Sequence, residues 1–202
     1  MHDAYGLDQK LLIPDADLER LRNCSHHAPH DFYGWHAVEG GSVIRTRQLG
    51  AVRVDVLIHN EAREATPIGD DIWVLGLPDI YTPDYRLRIT WPDTEPVVMA
   101  DPYAFLPTLG SLDLHLISEG RHERLWDVLG ANVRSYETAL GTVKGTSFAV
   151  WAPNAIGVAV VGDFCAWNSN QYPMRSLGSS GVWELFIPEI GAGDTYKFAI
   201  QT

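Results

Sequence analysis

His26 and His30 stand four residues apart. On a helix that spacing would turn two imidazoles to one face and offer them to a metal. Pro29 lies between them and breaks such a helix. Neither histidine has the flanking Glu of a zinc protease, and no cysteine pair accompanies them. The cluster is therefore read as a loop whose rings pack at the edge of a first sandwich, and no metal site is assigned. Nucleophilic catalysis has no signature either. There is no Gly-x-Ser-x-Gly elbow, and Cys24 and Cys165 lie in no activating context. Glycine-rich phosphate loops are absent. Carboxylates are plentiful, and a glycosidase needs only two in the right geometry, but nothing marks any two as partners. No catalytic residue and no cofactor is expected. Seven Trp and eight Tyr remain as the side chains that could meet a ligand. Most of them are expected to fill small β cores.

The elements that hold these rings are mostly strands. Val52, Val54, Val56 and Ile58 alternate with Arg53, Asp55, Leu57 and His59. Tyr85, Leu87, Ile89 and Trp91 alternate with Arg86, Arg88 and Thr90. Period two places one face on a core and the other in water. Ser42 to Leu49 and Ile72 to Leu77 read as further strands, with Gly, Pro and Asp turns between. A short polar helix is expected around Asp15 to Arg22, with Asp15 as N-cap. Ser111 to Glu119 carries Leu112, Leu116 and Ile117 at helical spacing, and Arg121 to Leu129 adds a second short turn. From Gly141 a second β region alternates through Phe148 and Val150, then Val158 and Val160. It continues through Trp183, Leu185 and Ile187, and through Tyr196, Phe198 and Ile200. The reading is all-β: two tandem immunoglobulin-like β-sandwich domains, residues 1–106 and 107–202, with short helices at the N-terminus and in the linker. Tyr196 to Ile200 is a strand in progress that Gln201-Thr202 ends without a turn, so a fragment of a longer protein is expected.

Composition narrows the class. Apolar residues make up 46% and charged residues 20%, enough for a packed core. The net charge of −11 disfavours nucleic acid and anionic membrane as partners. No run approaches the ~18–20 apolar residues of a membrane span. Met1-His2-Asp3-Ala4 lacks the basic and apolar regions of a signal peptide. Two cysteines are too few for a disulfide framework. A soluble, cytoplasmic protein is expected, in which Asn23-Cys24-Ser25 is a chance glycosylation pattern.

The most specific pattern lies in the second region. It runs Phe148-Ala149-Val150-Trp151-Ala152-Pro153-Asn154-Ala155, then Val161-Gly162-Asp163-Phe164-Cys165-Ala166-Trp167-Asn168, and finally Tyr196-Lys197-Phe198. This resembles the family 48 carbohydrate-binding module of the α-amylase superfamily. Upstream, His30 to His36, Asp101 to Pro107, Leu114 to Gly120 and Leu125 to Ala131 are similar to bacterial 1,4-α-glucan (glycogen) branching enzymes of the actinobacterial type. Together the resemblances cover nearly all of the chain. They imply an N-terminal β-sandwich, then the module, in front of a catalytic (β/α)8 barrel of the same parent chain. That family's catalytic motifs have no counterpart here, so the chain alone is expected to be inactive.

The resemblance also implies a glucan site. In starch-binding relatives of the module, the Trp of Gly-x-Phe-x-x-Trp and the Lys of Tyr-Lys-Phe line it, and these match Trp167 and Lys197. An exposed indole can stack on the apolar face of a sugar while neighbours bond its hydroxyls. Asn168, beside Trp167, is the third candidate. Packing of Trp167 against Pro173 stays open as an alternative. Lys197 alternates outward from Tyr196 and Phe198. Trp183, Trp151, Trp73 and Trp91 are read as structural, and Trp35 is left unassigned. The expected partner is α-glucan: glycogen, amylose or maltooligosaccharide. The rival expectations are a structural or regulatory module without sugar binding, and part of another family 48 enzyme, debranching or trehalose-releasing.

Overall fold

Period-two alternation becomes antiparallel pairing over most of the chain. The computed structural model describes residues 11–59, 61–79, 81 and 83–202. The signal-peptide reading at Met1 to Ala4 lies outside the described residues. Among those described, no helix is long and apolar enough to cross a membrane.

His30–Ala104 makes up most of one compact unit. Phe105–Glu137 and Thr142–Thr202, with Glu19–Pro29, make up the other. Helix α1 (Asp15–Arg22) has the expected span and buries Leu21. Its first helical bond runs from Leu18 N–H to the Pro14 carbonyl, so Pro14 takes the N-cap position rather than Asp15.

The first unit holds β1 (Gly34–Val38), β2 (Gly41–Arg47), β3 (Arg53–Ile58), β4 (Glu61–Glu64), β5 (Thr66–Pro67), β6 (Ile72–Leu77), β7 (Tyr85–Thr90) and β8 (Val97–Met99). They form two four-stranded sheets, ordered β1-β2-β6-β5 and β4-β3-β7-β8. The register sets Val54 opposite Ile89, Val56 opposite Leu87 and Ile58 opposite Tyr85. These six pack against Ile44, Trp73 and Leu77 of the other sheet, so the core lies between the two sheets. Each such aliphatic side chain contributes about 1.5–3 kcal/mol of burial. Val52 departs from the alternation: it precedes β3 and is exposed. Asp55 departs in the other direction. It points away from the core yet is buried, because Arg53 and Arg88 cover it with ion pairs of 2.8 and 3.0 Å.

The second unit holds α2 (Ser111–Ser118), all but the last residue of β9 (Gly130–Thr138), all but the first of β10 (Gly141–Trp151), β11 (Gly157–Gly162), β12 (Arg175–Ser176), β13 (Val182–Pro188) and β14 (Tyr196–Gln201). One sheet has the order β12-β13-β10-β9, and β11 pairs with β14 in a second. Across the interior, the Phe148 ring meets Tyr196 edge-on at 4.9 Å. Alternation predicts one wet face for β13, but every residue of it is buried. Its other face is covered by residues 105–129. There Leu114, Ile117, Val128 and Leu129 pack on Ala149 and Val182. Phe105 and Tyr136 pack on Phe186. Beneath that cover the carboxylate of Glu184, fully buried, accepts from Thr108 N–H and Oγ1–H and from the Arg175 guanidinium. Ile200, in core phase by sequence, is exposed.

Candidate functional site

Trp167 sits where the β11–β14 ladder ends. The last rungs pair Val161 with Lys197 and Gly162 with Tyr196. The chain then makes a single turn of 3₁₀ helix, Asp163–Cys165, and leaves through two left-handed residues, Ala166 (φ 49°) and Trp167 (φ 60°). Each non-glycine residue held there costs on the order of 1–2 kcal/mol. Local bonds hold the geometry: Trp167 N–H donates to Gly162 O at 3.0 Å, and Asn168 N–H to Cys165 O at 3.0 Å. Gly162 is required by space, since a Cβ would lie 2.3 Å from Thr195 O and 2.5 Å from the Phe164 ring.

This turn anchors the indole by its edge. Trp167 Nε1–H donates to Asp163 Oδ1 at 2.9 Å. Trp167 as a whole remains 41% exposed, and Lys197 Nζ lies 5.6 Å from its ring centroid. Trp167 and Lys197, named from sequence, thus stand together, and Asp163 joins them as a member that sequence reasoning did not single out. The signal for Asp163 was its place four residues before Trp167 on a tight turn. Asn168 is exposed beside them. Its side-chain oxygen accepts from Asn170 N–H at 2.9 Å, so that oxygen serves the loop. An indole with an ammonium beside it and a carboxylate at its edge can stack a sugar and bond its hydroxyls.

The other indoles divide differently. Trp183 is buried and donates to Ala152 O, and Trp73 is buried in the first core. Trp91 donates to Leu49 O at 2.9 Å, and both Trp91 and Trp35 pack at the margin of that core. Trp151 differs from its structural reading. Its Nε1–H is anchored on Ser180 O at 3.2 Å, but the residue is 57% exposed. Trp126 is more exposed still. In the histidine loop, His30 packs edge-on against Tyr103 at 4.9 Å, and His26 Nδ1 accepts from Ala28 N–H. Among the described residues no cluster of His, Cys, Asp and Glu could hold a metal.

Residues 14–103 match the family described as alpha-1,4-glucan branching enzyme GlgB, N-terminal domain. Residues 128–202 match Carbohydrate-binding module 48 (Isoamylase N-terminal domain). The chain is 66% identical over 192 residues to the 1,4-alpha-glucan branching enzyme GlgB of Corynebacterium efficiens, covering 95% of this chain and 26% of that protein. It is 64% identical to the enzyme of the same name from Corynebacterium glutamicum, with the same coverage. It is 48% identical to that of Mycobacterium tuberculosis, covering 94% and 26%. The chain thus spans about a quarter of the length of these relatives. A pullulanase from Anoxybacillus sp. LM18-11 aligns with 83% of this chain and 24% of its own, at 14% identity and a TM-score of 0.28, too loosely to carry an argument. The two matched segments and the actinobacterial relatives support an N-terminal GlgB region here, with residues like the GlgB N-terminal domain preceding residues like a family 48 carbohydrate-binding module.

Proposed function

We propose that this chain binds α-1,4-glucan at Trp167, Lys197 and Asn168 and presents it to a catalytic (β/α)8 domain of the same parent chain. The parent reaction would cleave an α-1,4 link and rejoin the segment as an α-1,6 branch. This chain would contribute binding and positioning, in the cytoplasm, without chemistry of its own. The observation that carries the reading is the indole of Trp167, held by Asp163 at its edge with its ring partly open and a lysine beside it. The relatives' printed names supply the substrate class. A boundary near residue 106 is supported by Phe105 joining the second unit and by a family match that ends at 103.

Native electrophoresis through glycogen tests the reading. Retardation of the chain that disappears in Trp167→Ala supports it; unretarded migration of the unmutated chain favours a structural module instead. Incubation with amylose, followed by iodine colour, should show no branching by the pure chain.

A further inference from the structure

The second unit takes in Glu19–Pro29, although that stretch lies inside the segment matched to the GlgB N-terminal domain. It leaves α1 through a fixed turn. Cys24 is left-handed (φ 50°), Cys24 N–H donates to Leu21 O at 3.3 Å, and Ser25 N–H donates to Arg20 O at 2.8 Å. This pair of bonds is a Schellman cap. Beyond it the backbone lies on the second unit. Cys24 O approaches Gly157 of β11 so closely that no Cβ would fit there. Gln201 of β14, with its amide in the orientation these acceptors require, donates from Nε2 to Asn23 O at 2.8 Å and to Cys24 O at 3.2 Å. His27 O accepts from Ser176 N–H at 2.7 Å, and the His27 ring meets Trp183 edge-on at 5.0 Å.

The contacts of Asn23 and Cys24 fall at one end of the β11–β14 ladder, and Trp167 and Lys197 stand at the other. Gly157 pairs with Gln201 on the first rung, and Val161 with Lys197 and Gly162 with Tyr196 on the last two. Burial does not set this register from both sides. Every residue of β11 is buried, but no residue of β14 is fully buried. Among the described residues, β14 has no strand partner besides β11. A strand without a buried face has a weakly specified register, and a two-stranded pair is marginal alone. A two-residue slip would carry Lys197 about 7 Å along β11, away from its place beside Trp167.

We propose that residues 23–27 clamp the β11–β14 ladder, and that Gln201 is a positioning residue that fixes the register on which the meeting of Trp167 and Lys197 depends. The clamp belongs to the second unit's fold although it precedes that unit's remaining residues by about 75 positions. It stands on backbone geometry; its consequence for sugar binding rests on the proposed glucan reading. Removing the Gln201 donor loosens the ladder from the clamped end, and the turn that carries Trp167 loosens with it.

The chain's two cysteines, both thiols, mark the two ends. Cys24 lies in the clamp. Cys165 Sγ accepts from Gly162 N–H and donates to Gly162 O, at the last rung. Gln201→Glu keeps the side chain's length and removes its donor, whereas Gln201→Lys keeps a donor of similar reach. Iodoacetamide labelling of the 202-residue chain, read by peptide mass, should run about five-fold faster at both Cys24 and Cys165 in Gln201→Glu. It should be unchanged in Gln201→Lys. Amide exchange at Phe148 and Leu185, in the other sheet, should stay the same in both variants. A labelling rate at either cysteine that does not rise in Gln201→Glu, or an equal rise in both variants, would overturn the proposal. So would an equal acceleration of the Phe148 and Leu185 amides, which would mean loosening of the whole unit. No sugar enters this test, and retardation of the unmutated chain by glycogen reports on the glucan reading separately.

Discussion

Lys197 holds its ammonium 5.6 Å from the centre of the Trp167 ring. The two residues stand about 30 positions apart in the sequence, and the β11–β14 register brings them together by pairing Lys197 with Val161, next to the last rung before the turn. At an exposed site this cation–ring contact is worth about 0.5–1 kcal/mol. Lys197→Ala is therefore expected to lower the Tm by about 2–4 °C and to weaken maltooligosaccharide binding about five-fold, the loss of one hydrogen bond to a sugar hydroxyl. Paired melting curves and titrations separate the two effects.

Gly162 decides whether the turn can form. Its φ of −176° is open to any residue, so the objection to a side chain is space alone. Gly162→Ala must move the Thr195 carbonyl or the Phe164 ring. It should destabilise the domain by about 1–3 kcal/mol in urea unfolding and shift Trp167 fluorescence as the indole leaves Asp163.

Arg175 and Glu184 form a buried pair beneath residues 105–109. The side chain of Glu184 is fully buried, and Arg175 also donates to Phe105 O at 3.1 Å. Arg175→Met strands a carboxylate in the interior and should cost about 3–5 kcal/mol. Adding Glu184→Leu should recover much of that loss, because the uncompensated charge is gone. Urea midpoints of the two variants test the pair.

Asp101 makes the first domain sensitive to pH. Burial raises its carboxyl from 3.8 to about 6, against the opposing effect of hydrogen bonds from Tyr103 N–H at 3.0 Å and Tyr85 Oη–H at 2.8 Å. The unfolded chain releases this proton near 3.8, so the native state binds more protons between the two values. Stability from this group is full below pH 4, falls as pH rises to about 6 and then levels, a change of ~3 kcal/mol at most. Asp55 works in the opposite sense. Its hydrogen bond from Arg53 is the largest influence holding its carboxyl below the ordinary value, so its contribution is lost only as pH falls. The stability difference between the parent chain and Asp101→Asn should therefore shrink from pH 4 to pH 6 in urea titrations. A difference constant over that range would contradict the assignment.

Sequence periodicity reached the features that depend on neighbours along the chain. Val54, Val56, Ile58, Leu87 and Ile89 alternate into the core as read. It missed features set by remote segments. Asp55 is buried because Arg88 arrives from the paired strand, and β13 is buried on both faces because residues 105–129 return over it. Trp151 reads as structural from its place before Ala152-Pro153, but only the fold shows that its cover stops short. At the candidate site, the motif named Trp167 and Lys197. Their meeting needs the strand register, and the hold of Asp163 on the indole needs the left-handed turn, neither of which alternation encodes.

The central claim is that the Trp167 face binds glucan. Calorimetric titration of maltoheptaose into the chain and into Trp167→Ala tests it most directly. Weak one-to-one binding in the unmutated chain and none in the variant is the predicted result; equal heats from both proteins would contradict it.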